Sequence, residues 1–354
     1  MSGSSTYVPA RKLEVFCSAI LQKAGCPADD ARQTAQCLVD ANLEGVDTHG
    51  VARIAVYARR VAGGAINAKP AISFLHQRGG LATIDGDNGL GPVVGQAAMR
   101  HSIALAREFG IGWVLARNSN HYAHSGYYAA MAAREGMIGL SSSSGEPLVA
   151  PWGGTRPFFT NNPLAIAAPC GDELIVIDLA TSVAARGQIL LAARTGQSIP
   201  TGWAVDANGE PTTDPHAALA GAVLPMAGPK GYALILGLEI LTGVLAGGEF
   251  APCVGSQHKE AGRASGIGQF FGAIDPTALM TAGEFAGRMK RLLHDLRTAP
   301  RSRDVDVIRV PGDRRAANRR ERLKNGIPLP PAIMVELQQL ADQFKLPQED
   351  RLDE

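Results

Sequence analysis

Residues 111–141, IGWVLARNSNHYAHSGYYAAMAAREGMIGLS, contain the pattern that decides the fold. The apolar run from Ile111 to Ala116 predicts a buried strand, and Met137 to Ser141 predicts a second one. The segment from Gly126 to Arg134 predicts a helix that ends at Gly136. A strand, a helix and a strand in this order make a short βαβ-like unit, so the sequence predicts an α/β core.

Two more strands are predicted further along the chain. Leu164 to Ala168 and Leu174 to Leu179 are apolar runs of strand length. The second run leads into Ala180, Thr181 and Ser182 and then into another helix. Thr181 and Ser182 are placed to cap that helix, because hydroxyl side chains accept hydrogen bonds from the first turn.

The part of the chain before this core is predicted to be helical. Apolar residues at helical spacing from Leu13 to Ala24 predict a first helix, and a second follows from about Asp29 to Ala41. A third is predicted to begin at the capping residues Asp47 and Thr48 and to end at Gly63.

The later part of the chain mixes helices with one further strand. Tyr232 to Ala246 is strongly apolar but too short to span a bilayer comfortably, so it predicts a buried helix. Gly283 to Leu296 predicts a helix with a basic outer side, and Asp304 to Val310 predicts a last strand. Arg314 to Lys324 predicts a basic helix that ends at Gly326.

Composition excludes several classes of function. With 354 residues the chain is long for one compact core, so we expect two lobes or one large α/β unit with attachments. A charged fraction of 19% and a net charge of +1 describe an ordinary globular protein and predict neither a nucleic-acid nor a membrane partner. The five cysteines show no ligand-like spacing, which argues against a zinc site or a disulfide framework and favours a reducing cytoplasm. The N-terminus lacks the apolar run of a signal peptide.

Two histidines lie in tight motifs that suggest acid/base chemistry. His49 lies in DTHG at 47–50, and His121 lies in NSNHY at 118–122. If the third helix begins at Thr48, Arg53 lies one turn after His49 on the same face, and its guanidinium can bind a carboxylate through two hydrogen bonds. The helix N-terminus disfavours an imidazolium and keeps His49 neutral. This pairing suits a small carboxylic acid whose neighbouring carbonyl or alcohol exchanges a proton, and it favours His49 for that exchange.

His121 and Asp178 are predicted to meet at one edge of the core. Each follows a predicted strand, and α/β proteins bind ligands in the crevice at the carboxyl ends of their strands. His124 lies three residues after His121, but this spacing is a weak metal signal without a third ligand, so no metal is expected. A hydrolytic metal site formed by Asp47, His49, His121 and His124 stays open as an alternative.

The phosphate-binding motifs of common nucleotide folds are absent. The chain has no GxGxxG, and the glycines between Gly86 and Gly91 have the wrong spacing, which disfavours an ordinary Rossmann site. It has no GxSxG elbow or P-loop either. Lys230, in GPKG before the apolar helix, opposes the helix dipole, which is understandable if it faces an anionic ligand such as a cofactor phosphate.

Seven blocks of sequence, taken in order, resemble one enzyme family. They are DTHGVARIAVYARRVAGGAI, NSNHY, VAPWGGTRPFFTNNPLAIAAP, IDLATSVAARGQI, GWAVDANGEPTTDP, LPMAGPKGYALILGLEILTGVLAGG and RVPGDRR. The chain resembles the malate/L-lactate dehydrogenase family from about Arg11 to Pro328. This non-Rossmann group also contains ureidoglycolate, sulfolactate and diketogulonate enzymes and cyclic-imine reductases.

The resemblance implies an oxidoreductase that uses NAD or NADP and acts as a dimer. The fold it implies is a non-Rossmann mixed-sheet α/β core with helical N- and C-terminal segments. The family's catalytic histidines fall on His49 and His121, and its substrate arginine falls on Arg53. Its dinucleotide contacts fall on a set of nine residues. They are Gly145, Asp178, Leu179, Ala180, Thr181, Ser182, Lys230, Gly312 and Asp313.

The resemblance also implies a division of the chain and a choice of substrates. Residues 1–75 with 310–354 are expected to form a helical substrate and dimerisation lobe, and residues 76–309 the dinucleotide-binding core. The GPKGYALI block is similar to ureidoglycolate dehydrogenases and favours a 2-hydroxy acid, whereas reduction of a cyclic imino acid is the alternative. Arg314 and Arg315 are placed to recognise the extra phosphate of NADPH, but cyclic-imine reductases are also arginine-rich here, so both cofactors stay open.

Overall fold

The computed structural model describes residues 5–257 and 262–352. Among these residues the chain forms twelve strands and eleven α-helices. The strands are β1 (Thr6–Val8), β2 (Ser73–Arg78), β3 (Leu81–Asp85), β4 (Ile111–Ser119), β5 (Ile138–Ser143), β6 (Leu164–Cys170), β7 (Glu173–Leu179), β8 (Ala204–Val205), β9 (Pro211–Thr212), β10 (Ala222–Val223), β11 (Ile267–Ile274) and β12 (Ile327–Leu329). The helices are α1 (Ala10–Lys23), α2 (Ala28–Leu43), α3 (Ile54–Ala62), α4 (Gly91–Phe109), α5 (Ser125–Arg134), α6 (Arg186–Thr195), α7 (Pro215–Ala220), α8 (Pro229–Glu239), α9 (Ala282–Thr298), α10 (Asp313–Asn325) and α11 (Pro331–Gln343).

The centre of the molecule is a seven-stranded mixed sheet with the order β2-β3-β4-β11-β5-β6-β7. β4 and β5 both pair antiparallel with β11, which lies between them, so β4 and β5 run in the same direction. The βαβ-like unit predicted from residues 111–141 is therefore present, with a distant strand inserted between its two strands. Phe270 of β11 pairs with Leu115 on one side and with Ser142 on the other.

Both faces of the sheet are covered, which explains why its central strands are apolar throughout. Seven of the eight residues of β11 are buried, because side chains that alternate between two faces both meet packed helices. Phe271 belongs to the large core with α4 and α5 on one face. Phe270 directly precedes Phe271, and its side chain packs with Leu238 of α8 on the other face of the sheet.

The N- and C-terminal segments pack together against the α4 side of the sheet. β1 pairs antiparallel with β12, so Val8 lies opposite Ile327. The core on this side includes Leu13 and Phe16 of α1 and Leu340 of α11, all fully buried. The helical N- and C-terminal segments implied by the family resemblance are therefore present.

The predicted third helix begins later than expected. Asp47–His49 and Val51–Arg53 form two separate 3₁₀ turns, and the α-helix α3 starts at Ile54. Gly50, between the turns, is extended and lies so close to Asn42 that a Cβ would be 2.1 Å from Asn42 Oδ1. That oxygen accepts a hydrogen bond from the N–H of Val51 at 2.8 Å. Asn42 therefore satisfies the backbone at this point, whereas Asp47 and Thr48 had been expected to do so.

Two later predictions are also corrected. Asp304 to Val310 is not a strand, and all of these residues except Ile308 and Val310 are exposed. The segment from Tyr232 to Ala246 is helical, as α8 and a π-helical turn at Ile240–Leu245, but only one side is buried. On the other side, Leu236, Ile240 and Val244 are 41, 49 and 56% exposed to solvent. In the part of the chain that the structure describes, no helix has the length and apolar character required to span a membrane.

Candidate active site

A cavity of about 570 Å³ lies at the edge of the sheet where β4, β5 and β7 end. Six of the twelve residues predicted to bind substrate or cofactor or to act in catalysis line it together. They are His49, Arg53, His121, Gly145, Asp178 and Ala180. The position is the one expected for a ligand site in an α/β protein, at the carboxyl ends of strands.

Other predicted site residues lie beside or outside the cavity. Lys230, at the start of α8, is exposed and does not line it. Gly312 and Asp313 begin α10 and also lie outside its lining, and Asp313 pairs with Arg297 at 3.1 Å. The nine residues expected to contact the dinucleotide are therefore not gathered in this one cavity.

Thr181 and Ser182 are buried and tie two loops together, contrary to the expectation that they cap a helix. Thr181 Oγ1 donates a hydrogen bond to the carbonyl oxygen of Asn161 at 2.7 Å. Ser182 Oγ donates to the carbonyl of Ala184 at 2.9 Å, and α6 begins only at Arg186. Because Asn161 itself lines the cavity, these two hydroxyls shape the cavity wall.

The two histidine rings stack on each other at the cavity wall. Their centroids are 5.7 Å apart and their planes differ by 25°. His49 Nδ1 lies 3.0 Å from Thr48 Oγ1. Burial by the crowded walls and the nearby charge of Arg53 lower the pKa of His49 to about 4, even though part of the ring faces the cavity. The lowered pKa favours a neutral imidazole at physiological pH, but its causes are burial and Arg53 and not the predicted helix N-terminus, because His49 lies in a 3₁₀ turn before α3.

Arg53 is held from one side only. Its Nε donates a hydrogen bond to the carbonyl oxygen of Thr48 at 2.8 Å. Among the described residues its guanidinium has no ion-pair partner, although the side chain is only partly exposed. The remaining N–H groups are thus available to a carboxylate that enters the cavity.

Tyr57 orients His121 and was not among the site residues predicted from the sequence. Tyr57 Oη lies 2.6 Å from His121 Nδ1 and donates to the His121 carbonyl at 3.0 Å. The N–H of Ala123 donates to the same phenol oxygen at 3.2 Å. The same N–H lies 3.4 Å from His121 Nδ1, so Tyr57 and the Ala123 backbone together hold this ring nitrogen, and proton exchange would go through Nε2. Burial raises the pKa of Tyr57 above its usual range, so the phenol stays protonated.

The backbone around His121 is held by a close approach to the start of α4. A Cβ on Gly91 would lie 2.3 Å from the carbonyl oxygens of both Asn120 and His121. Ala123, two residues later, has a φ of +66°, a conformation that an alanine adopts only when its surroundings impose it. The histidine is therefore fixed by its surroundings rather than carried on a free loop.

Asp178 is almost fully buried and already has several partners. It accepts hydrogen bonds from the N–H of Gly126 and from Arg315, each at 3.0 Å, and lies 3.7 Å from His124 Nδ1. Burial alone would raise the pKa of this carboxyl, but His124, Arg315 and the Gly126 N–H together lower it to about 2. The contacts favour a role in ordering the loops around the cavity.

We expect Asp178→Asn to reduce stability at neutral pH and to remove part of its dependence on acid. Because the folded-state pKa lies below the value near 4 in the unfolded chain, the carboxylate stabilises the fold above pH 4. That contribution, roughly 2 kcal/mol, is lost as the pH falls towards 2. Urea unfolding between pH 7 and pH 3 measures it, with the exposed Asp304→Asn as control. A difference in the free energy of unfolding between variant and wild type that does not shrink over this pH range contradicts the assignment. A separate fluorescence titration with NADH and NADPH tests whether the affinity for the dinucleotide also falls.

The basic helix α10 is bound to acidic residues near the cavity. Arg322 forms two hydrogen bonds with Asp47, at 2.6 and 3.1 Å, and Arg319 contacts Asp40. Arg315 contacts Glu44 at 3.2 Å as well as Asp178. These pairs form the α10 clasp, in which basic side chains of α10 hold α2 and the loop that carries His49.

The contacts of the α10 clasp bear on two expectations, one about recognition of a cofactor phosphate and one about a metal site. Arg315 lines the cavity but is engaged with the carboxylates of Glu44 and Asp178, whereas Arg314 is exposed and has no ion pair among the described residues, and recognition of a cofactor phosphate by either stays a prediction. The proposed hydrolytic metal site is not assembled, because Asp47 pairs with Arg322, and His121 with Tyr57. Within the described ranges, the one cluster suited to a metal ion is Asp40, Glu44 and His124.

Comparison with known proteins identifies the family. The family model described as malate/L-lactate dehydrogenase matches residues 8–338. The chain belongs to the malate/L-lactate dehydrogenase family. A malate dehydrogenase of Pyrococcus horikoshii is 38% identical over 342 residues, which is 94% of each chain. The crystal structure of the sulfolactate dehydrogenase of Methanocaldococcus jannaschii superposes with a TM-score of 0.92 at 35% identity, over 98% of this chain and 100% of that one.

Other members of the malate/L-lactate dehydrogenase family among the matches differ in substrate and cofactor. The structure of a delta1-piperideine-2-carboxylate reductase of Pseudomonas syringae has a TM-score of 0.86 at 32% identity, over 95% of this chain and 100% of that one. A (2R)-3-sulfolactate dehydrogenase of Chromohalobacter salexigens is named for NADP(+), and a ureidoglycolate dehydrogenase of Escherichia coli for NAD(+). The resemblance seen in the seven sequence blocks is confirmed, and with it the α/β fold of this family.

Proposed function

We propose that this enzyme transfers a hydride between NAD or NADP and the carbon next to a carboxylate, in a small 2-hydroxy or 2-oxo acid of the malate, lactate, ureidoglycolate or sulfolactate type. One observation carries the proposal. A single cavity brings an unpaired guanidinium, Arg53, beside two stacked histidines, His49 and His121. A bound 2-hydroxy acid presents its carboxylate and its hydroxyl to these two kinds of group.

Each side chain has a separate task in this proposal. Arg53 binds the substrate carboxylate with the N–H groups that Thr48 leaves available. His121 exchanges the hydroxyl proton through Nε2, because Tyr57 holds Nδ1. His49, with its pKa of about 4, is a weak proton acceptor at neutral pH and instead polarises or orients the substrate oxygen. The sequence spacing had favoured His49 for the proton transfer, and the contacts of Tyr57 favour His121.

The residues present fit a dinucleotide at the other side of the cavity. The loop after β5 reaches it as Gly145, where a Cβ would lie 2.9 Å from Thr160 Oγ1, and the loop after β7 reaches it as Ala180. The small side chain of Ala180 allows a flat ring to approach the backbone there, whereas Thr160 lies against Gly145. The dinucleotide supplies the hydride chemistry, while the chain supplies orientation and the proton. The segment Asp178–Ser182 would hold it, and contacts by Lys230, Gly312 and Asp313 stay predictions.

The division of labour along the chain is part of the proposal. Residues 1–75 with 310–354, of which 1–4 and 353–354 lie outside the described ranges, would form the substrate and dimerisation lobe. Residues 76–309 would hold the dinucleotide. The exposed apolar side chains Leu236, Ile240 and Val244 support a homodimer, because association would remove them from water. The free cysteines support a reducing compartment such as the cytoplasm.

A second candidate substrate class is a cyclic imino acid, reduced at its C=N bond. The structural match to the piperideine-2-carboxylate reductase favours it. Such a substrate also carries a carboxylate for Arg53 and needs a proton donor beside the reacting bond.

The test is an activity panel with both cofactors. Purified enzyme is mixed with NADH or NADPH and with pyruvate, oxaloacetate, sulfopyruvate or piperideine-2-carboxylate, and oxidation is followed at the nicotinamide absorbance; ureidoglycolate is assayed in the oxidative direction. We expect turnover of at least one 2-oxo or 2-hydroxy acid. Turnover of the cyclic imine alone supports the second candidate, and no turnover of any of these with either cofactor rejects both.

A further inference from the structure

A cluster of three buried side chains lies beside the active-site cavity and has no part in the proposed reaction. Asp40 and Glu44 belong to the C-terminal half of α2 and the residue that follows it, and His124 directly precedes α5. One ligand atom from each lies within 4.8 Å of the others. Their side chains are only 12, 9 and 3% exposed.

In each carboxylate of this cluster, one oxygen contacts an arginine and the other accepts no hydrogen bond from one. Asp40 Oδ1 contacts Arg319, whereas Asp40 Oδ2 is buried without a hydrogen-bond partner. Glu44 Oε2 accepts from Arg315 at 3.2 Å, and Glu44 Oε1 is 3.9 Å from Arg319, beyond hydrogen-bond distance.

Both ring nitrogens of His124 are also buried without a hydrogen-bond partner. Nε2 lies 3.7 Å from Asp40 Oδ2, and Nδ1 lies 3.7 Å from Asp178 Oδ2. Buried imidazole nitrogens are ordinarily hydrogen-bonded, so an imidazole with two unsatisfied nitrogens between two carboxylates requires an explanation.

The charges of the cluster and its neighbours do not balance. Three carboxylates, those of Asp40, Glu44 and Asp178, face two guanidinium groups, those of Arg315 and Arg319. A buried charge without a counter-charge is costly, so a further cation would be favoured here.

The separation of Asp40 and His124 fits a shared ion. Two atoms that each lie about 2.1 Å from one metal ion are about 3–4 Å apart, and Asp40 Oδ2 and His124 Nε2 fall within that range. Asp178, at the opposite nitrogen, occupies the place of the carboxylate that commonly orients a metal-bound histidine.

We propose that Asp40, Glu44 and His124 bind one divalent first-row transition-metal ion, with Asp178 orienting the histidine. An imidazole among the ligands favours such an ion over Mg²⁺ or Ca²⁺, which prefer oxygen ligands alone. The ion links α2 to the start of α5 and stabilises that wall of the cavity. This proposal does not rest on the proposed function, because its measurements are bound metal and stability.

The test uses tag-free protein stripped with EDTA and dialysed. Calorimetric titration with Zn²⁺ is expected to show one equivalent per chain and to raise the Tm, and Co²⁺ is expected to give visible absorption bands, whereas Mg²⁺ has no effect. His124→Gln is expected to weaken Zn²⁺ binding at least about tenfold and to lose the rise in Tm. The exposed His216→Gln, on α7, serves as matched control and is expected to behave as wild type.

Two results overturn the proposal. One is wild-type protein that binds no equivalent of Zn²⁺ or Co²⁺. The other is Zn²⁺ binding that His124→Gln retains in full, which places the metal elsewhere. If His124→Gln does not fold, Asp40→Asn provides the same comparison, and the wild-type titrations decide the first result without any variant.

Discussion

His121→Asn is expected to lower kcat by about 10²–10⁴-fold, the usual effect of removing a positioned acid/base group. Asparagine keeps a polar side chain of similar reach but cannot take up a proton at neutral pH. Steady-state kinetics over a range of pH, with the best acid from the panel, measures the loss. The limb of the pH profile that reports the acid/base group is expected to disappear at the same time.

His49→Asn is the matched comparison, since the two rings stack on each other. We expect it to leave the pH limb in place and to lower kcat/KM less, because a histidine with a pKa of about 4 is already neutral. Tyr57→Phe is expected to lower kcat with little change in KM and to shift the limb, which a loss of packing alone would not do. If the effects of the two histidine variants are exchanged, His49 is the proton-transfer group, and if neither variant loses the limb, the acid/base proposal fails.

Arg53→Lys is expected to raise the KM for the acid substrate by about 10–100-fold. Lysine keeps the charge but loses the planar pair of N–H groups that matches a carboxylate, and a hydrogen bond to a charged group contributes about 1.5–3 kcal/mol. The affinity for NADH, measured by fluorescence titration, should stay close to that of wild type, because Arg53 lies on the substrate side of the cavity in the proposed arrangement.

Arg59→Lys is the control for this variant. Arg59 lies on the same short helix, α3, and is exposed to solvent. Its replacement is expected to leave KM unchanged, which separates loss of the guanidinium at the site from any general effect on the helix. An Arg53→Lys enzyme with wild-type KM for every active acid removes Arg53 from the substrate site.

Local sequence patterns predicted most elements of the fold but not how the strands are ordered. The strands at 111–119 and 138–143 and the helix between them follow from apolar runs and helical spacing. The insertion of β11 between those two strands depends on pairings such as Phe270 with Leu115, which join parts of the chain more than 150 residues apart. No periodicity within a window of ten or twenty residues contains that information.

The site shows the same division between local and distant information. His49, Arg53, His121 and Asp178 were predictable because each lies in a motif or at the end of a strand. Tyr57 was not, because its spacing on α3 is that of a core residue, and its bond to His121 spans 64 positions. Its position one turn after Arg53 was the only local signal.

The third helix shows why boundaries are hard to predict. Asp47 and Thr48 have the side chains of good helix caps, but Asn42 on the preceding helix reaches Val51 first. The capping bond that was expected within one segment is therefore made from another, and Asp47 is left available to Arg322.

The α10 clasp also determines when the enzyme can become complete during synthesis. Arg322 is made 275 positions after Asp47, and β12 pairs with β1 at the other end of the chain. A nascent chain that has already formed its sheet still lacks the partners of the loop carrying His49 until residues 313–329 have been synthesised. Contacts of such long sequence separation form late, so activity is expected only after these residues have emerged and packed.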